Sequence, residues 1–194
     1  MFAKPSKITV TTYAGNKGIV NIEKEANLSG KIHDKGVQIL TGYLNQRYAN
    51  KNPLSISCRI CFEQTYSLID GDSATCAEIV AILSSLSKIK LNQEIGVTGS
   101  MNQFGEVQSV GGVTYKIEGF YKVCKKRGLT GNQGVIIPYQ NANDLILNDE
   151  ILQDIKKGLF HIYSSRTIDD VLERLTNLPA DKIHKIILKS QKKH

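Results

Sequence analysis

Ser73 follows the triplet Asp70-Gly71-Asp72 and opens residues 73–86 (SATCAEIVAILSSL), a segment apolar almost all the way round with Glu78 as its only charge. Such a pattern predicts a buried central helix. The first turn of a helix offers unpaired N–H groups and the positive end of the helix dipole, which can hold the oxyanion of an acyl-transfer intermediate. A serine at that point is a candidate nucleophile, provided a base stands beside it. The same residues also read as plain capping, with Ser73 or Asp72 as N-cap and Thr75 with Glu78 as a capping box.

The candidate base is Lys116. Over residues 113–127 the spacing of Val113, Ile117, Phe120, Tyr121 and Cys124 predicts a helix with one apolar face, and Lys116 lies at the edge of that face. Lys122, Lys125 and Lys126 point elsewhere. Burial disfavours the charged form of a lysine, and a neutral amine can take the proton of a serine hydroxyl. Lowering a lysine from ~10.4 to ~7 requires roughly 4 kcal/mol of differential environment, within the range that burial supplies. The competing reading is a snorkelling lysine whose stem covers the core.

These two residues must be positioned by a scaffold. Residues 7–13 and 19–22 read as strands around the turn 14–18 (AGNKG), which predicts a hairpin. Val37, Leu40, Leu44 and Tyr48 mark an amphipathic helix over 34–49, and Pro53 closes any helical run. Leu54, Ile56, Cys58, Ile60 and Phe62 alternate with more polar residues, the period of a strand with one buried face, before a loop over 63–72. Residues 94–100 and 106–110 predict a second hairpin, ended by Gly111-Gly112. Then come the helix carrying Lys116, a strand at 134–137 stopped by Pro138, a helix at 149–157 and a strand at 160–163. Last is a helix at 167–175, with Thr167 and Asp170 as a capping box. The alternation predicts one compact mixed α/β domain of short mixed sheets and packed helices over residues 1–180. Residues 181–194 form a basic terminal helix or tail.

The composition narrows the function classes. The chain has 194 residues, of which 41% are hydrophobic and 22% charged, so it folds and is the size of a single domain. Its net charge of +7 invites nucleic acid as a partner. Residues 181–194 hold five lysines against one aspartate, however, and carry more than half of that excess. The rest clusters on the outer side of the Lys116 helix, without the interleaved aromatic and basic residues of a nucleic-acid surface. No specific nucleic-acid site is expected. The four cysteines are too few for a disulfide scaffold and read as packed free thiols in a reducing compartment. Cys58 and Cys61 have C-x-x-C spacing, but on a strand an odd separation points them to opposite faces. His33, His161, His184 and His194 show no metal-like pairing, so no metal or cofactor is expected in this chain. No secretory signal and no stretch of some 18 apolar residues is present, which predicts a soluble, cytoplasmic protein.

From about residue 30 to 175 the chain resembles the proteolytic domain of Lon proteases, which work through a Ser-Lys dyad. The family's nucleophile string of acidic residue, Gly, x, Ser, Ala matches Asp70-Gly71-Asp72-Ser73-Ala74. Its Gly-Gly pair ahead of the lysine matches Gly111-Gly112-Val113-Thr114-Tyr115-Lys116, and its Thr-Gly matches Thr98-Gly99. The strands 134–138 and 160–163 also fit. Asp72 before the serine and Ala74-Thr75 after it resemble the B-type, largely archaeal branch. The A-type carries Pro before the serine and Ala-Gly after it.

The resemblance implies a serine endopeptidase of unfolded or damaged proteins. Ser73 would attack the peptide carbonyl, Lys116 would act as base, backbone N–H groups near Asp72 and Ser73 would hold the oxyanion, and Thr98 would orient the amine. Asp70 would either pair with Lys116 in a resting state or only shape the loop, and Glu63 would belong to the same polar shell. It also implies a hexameric ring and an upstream AAA+ ATPase using ATP and Mg. This chain has no G-x-x-x-x-G-K-[ST] loop, so it reads as a fragment of a longer parent, and the B-type pattern is compatible with a membrane tether there. The alternative reading is a non-catalytic α/β domain that forms a ring or binds nucleic acid.

Overall fold

A computed structural model describes residues 3–49 and 56–191. Pro53 and Leu54, and residues 192–194 of the basic tail, lie outside the described residues. Strand β1 (Lys7–Ala14) and strand β2 (Gly18–Asn21) are followed by the short helix α1 (Ile22–Glu25) and the long helix α2 (Lys31–Tyr48). Strand β3 (Ile56–Glu63) and helix α3 (Thr75–Ser87) come next. The short strands β4 (Ile95–Val97), β5 (Ser100–Met101) and β6 (Val107–Gln108) lead to helix α4 (Val113–Arg127). The chain closes with β7 (Gly134–Pro138), a 3-10 segment (Tyr139–Asp144), α5 (Asp149–Lys156), β8 (His161–Ser165), α6 (Ile168–Thr176) and α7 (Ala180–Gln191).

The mixed α/β class holds, but both expected hairpins are rearranged. β1 and β2 do not pair with each other. β3 lies between them, antiparallel to β1 and parallel to β2. The reason is burial: β3 brings Ser57, Cys58, Ile60 and Phe62 into the interior, whereas β1 has no fully buried residue and suits an edge. In the second case β4 joins β7 and β8 in a parallel sheet, and only Ser100–Met101 pairs antiparallel with Val107–Gln108. The strand is interrupted at Thr98-Gly99 because that backbone is used by the start of α3. The Gly99 N–H donates to the Ser73 carbonyl (2.8 Å), and the Cys76 N–H donates to the Gly99 carbonyl (3.1 Å).

Alternation along β7 divides the interior in two. Ile136 belongs to the main core with α2, α3, α6 and α7, while Val135 and Ile137 point the other way, into a second core with Val113, Ile117 and Tyr121 of α4, Ile151 of α5 and Phe160. The helix following Ser73 and the helix carrying Lys116 therefore lie on opposite faces of the parallel sheet. α6 starts with the expected capping box: Thr167 accepts from the Asp170 N–H and Asp170 returns the bond to the Thr167 N–H. α7 packs on α3, with Ile183 and Ile187 fully buried, so the basic terminal segment contributes to the main core. Ile183→Ala should cost about 2–5 kcal/mol in chemical denaturation, the range for emptying a fully buried aliphatic site.

Candidate active site

α3 lacks the side-chain caps that the sequence allowed. The helix runs Thr75–Ser87 behind Ala74, with no side-chain cap hydrogen bond. The Thr75 hydroxyl donates to the Asp72 carbonyl (2.7 Å), and Glu78 is turned away to His33 (2.8 Å). The Ser73 hydroxyl caps nothing, and it has no hydrogen-bond partner among the described residues. Ser73 is held by its carbonyl instead, which accepts from the Gly99 N–H and from the Thr98 hydroxyl (3.3 Å). Thr98 is itself anchored by its N–H donating to the Ile136 carbonyl (3.0 Å), so the parallel sheet sets the height of the serine. Thr98 thus acts on the backbone of Ser73; the structure gives it no hydrogen bond to Lys116.

Lys116 stands in the first turn of α4. Gly112, with φ of 69°, turns the chain into that helix, and a left-handed backbone there suits a residue without a side chain. The lysine is half-buried, and its ammonium has no hydrogen bond or ion pair among the described residues. Its pKa is lowered: burial pushes it down, and the carboxylate of Asp72 opposes that shift. Asp72 in turn accepts from the Ser100 hydroxyl (2.8 Å). The carboxylate next to the serine is therefore the charge that acts on Lys116.

Two other acidic candidates are engaged elsewhere. Asp70 does not pair with Lys116. Its Oδ1 accepts from the Ile32 N–H (3.2 Å) and the Gly71 N–H (2.9 Å), which caps α2 and shapes the loop. Glu63 is exposed at the end of β3 and accepts from the Thr9 hydroxyl across to β1, which takes it out of the expected polar shell. Ser100 was not foreseen. Its signal in the sequence is its place two residues beyond Thr98, the same-face spacing of the strand expected over 94–100. Among the described residues no three His, Cys, Asp or Glu side chains converge as metal ligands. Cys58, Cys76 and Cys124 are buried free thiols and Cys61 is partly exposed. No helix among the described residues is long and apolar enough to cross a membrane.

Residues 63–177 match the family model of the Lon protease (S16) C-terminal proteolytic domain. The chain is 41% identical over 180 residues to a protein of Escherichia coli (strain K12) named as a Lon protease homolog, covering 93% of this chain and 31% of that one. A second protein so named, from Haemophilus influenzae, is 41% identical over 174 residues, covering 90% of this chain and 29% of the relative. An archaeal Lon protease of Thermococcus kodakarensis is 33% identical over 144 residues, 74% of this chain and 21% of that protein. The chain spans about a third or less of the length of these relatives.

Proposed function

The chain belongs to the Lon protease (S16) family through its proteolytic domain, and from that premise we propose that it hydrolyses peptide bonds with Ser73 as nucleophile and Lys116 as base. The observation that carries the reading is the half-buried Lys116 without an ion-pair partner among the described residues, its pKa lowered by burial against the opposing charge of Asp72, the residue next to an uncapped serine. The neutral amine takes the proton of the Ser73 hydroxyl as its oxygen bonds to the peptide carbonyl carbon. The amides of Ser73 and Ala74, which donate to no acceptor among the described residues, are available for the oxyanion. Collapse breaks the C–N bond, Lys116 returns the proton to the leaving amine, and an acyl-Ser73 ester remains. Water then attacks that ester as Lys116 takes its proton, the bond between the carbonyl carbon and Ser73 Oγ breaks, Lys116 returns the proton to Oγ to restore the hydroxyl, and the acid product leaves.

Burial favours the neutral form of Lys116 and the carboxylate of Asp72 works against it, so the two together set how readily the base is available. Thr98 and Ser100 are supporting residues: one fixes the Ser73 backbone, the other fixes Asp72. Within a longer parent the domain would work in the cytoplasm as part of a hexameric ring, fed with unfolded polypeptide by an attached AAA+ ATPase that uses ATP and Mg. The names of the relatives support the protease reading. The test is covalent labelling: a fluorophosphonate probe should modify this chain at Ser73, located by peptide mass spectrometry, with no labelling of Ser73→Ala. Labelling elsewhere, with Ser73 untouched, would sink the assignment.

A further inference from the structure

The first two turns of α2 are moulded against the loop that carries Ser73. The Gly30 N–H donates to the Ile69 carbonyl (2.7 Å), and Asp70 caps the helix through the Ile32 N–H. A Cβ at Gly30 would lie 2.5 Å from the Asp70 carboxyl carbon, and one at Gly36 would lie 2.7 Å from the Thr75 hydroxyl and 3.3 Å from Asp72 Cβ. Gly30, His33 and Gly36 recur at a spacing of three and share a face of the helix. Between the two glycines His33 is fully buried, and its Nε2 meets Oε1 of the equally buried Glu78, in the first turn of α3, at 2.8 Å.

Nε2, facing a carboxylate, carries a proton, and Nδ1 lies between the Ser29 hydroxyl and the Asn21 amide nitrogen. The Ser29 hydroxyl gives its single proton to Asp34 Oδ1 (2.7 Å) and can accept from a protonated His33 Nδ1 (2.9 Å), the form that the surrounding carboxylates favour. Glu23 of α1, Asp34 of α2 and Glu78 of α3 all act on this imidazole. The Asn21 amide lies near Nδ1, and the Phe62 ring of β3 stands edge-on at 5.3 Å. One oxygen of Glu78 and one of Glu23 have no partner, and carboxylates buried this way beside His33 favour its charged form.

We propose that the His33–Glu78 ion pair locks the loop over residues 70–75 onto α2, making both positioning residues that set Ser73 according to the protonation of His33. The proposal rests on Ser73 being the nucleophile. Burial pushes the His33 pKa down, while the hydrogen bond and charge of Glu78, with the charges of Glu23 and Asp34, push it up by more, for a net rise. A raised folded-state value means the lock is complete below the ordinary histidine value of about 6.5 and is lost as pH climbs through the higher folded value.

The experiment follows the labelled chain by NMR from about pH 5.5 to 9, the range in which histidine titrates. The amide resonances of Asp72, Ser73 and Thr75 should move with the midpoint of the His33 imidazole. In Glu78→Gln that midpoint should fall and the amides should no longer follow it. With a fluorogenic peptide, Glu78→Gln should lower kcat roughly tenfold and leave KM within about twofold, as for a displaced reacting group. Amides that stay still while His33 titrates, or a kcat profile of Glu78→Gln that superimposes on the unaltered chain, would overturn the lock. Should Glu78→Gln fail to fold, the titration of the unaltered chain decides alone. Ser73→Ala separates the two readings: retained hydrolysis refutes the nucleophile, while the amide titration still decides the lock.

Discussion

Ser73→Ala and Lys116→Ala are each expected to reduce kcat for a fluorogenic peptide by about 10³-fold or more, with the double variant no worse than the poorer single one. A nucleophile and its base act as one unit, so losing either forfeits nearly the whole covalent route and the losses do not add. General-base assistance alone accounts for roughly 10²–10⁴ of rate. Lys116→Arg should be as inactive as Lys116→Ala, because a guanidinium keeps its proton at any pH the protein survives. Equal rates in all variants would exclude the dyad. Stability should move the other way. The folded-state pKa of Lys116 lies below its unfolded value, so between the two values the unfolded chain binds more protons and stability rises with pH. Below that window the buried charge is a cost, and Lys116→Met, which keeps the stem and removes the charge, should unfold at a higher temperature than the parent.

Elements with an unbroken local pattern were legible in the sequence. α4 runs over the expected residues because its apolar face repeats without interruption between glycines at both ends, and α6 starts at its capping box. Strand partners were not legible. Residues 7–13 and 19–22 have the composition and the turn of a hairpin, and only competition for the central place, won by the more apolar β3, separates them. The break at Thr98-Gly99 was hidden for a related reason: the backbone groups that leave the ladder go to Ser73 and Cys76, some 25 residues away in sequence. The same holds at the site. The types and local placing of Ser73 and Lys116 could be read from two helical patterns. That Asp70 caps α2 while Asp72 is the charge that acts on Lys116 depends on the approach of α2, because Asp70 and Ile32 are 38 positions apart. Two aspartates separated by one glycine look alike in sequence, and the backbone of Gly71, with φ of 90°, sends them different ways.

That separation of roles makes Asp72→Asn the second large expected effect. Asp72 is the one charge that works against burial in setting the Lys116 pKa. Asparagine keeps the shape and an oxygen that can still accept from the Ser100 hydroxyl, so the loop should hold its geometry while the negative charge is lost. Without that charge the ammonium form loses its support and the Lys116 pKa falls further from the ordinary lysine value. In the pH profile of kcat/KM, activity rises as Lys116 loses its proton, so the rising limb should move to lower pH in Asp72→Asn and hydrolysis near pH 7 should increase several-fold. The alkaline plateau, where Lys116 is neutral in both proteins, should change little, because the same base and the same nucleophile are at work there. A limb that stays in place would mean that Asp72 does not govern the base. A plateau that collapses with the limb unmoved would give Asp72 a part in the chemical step itself, as a group needed to orient the amine rather than one that holds it charged.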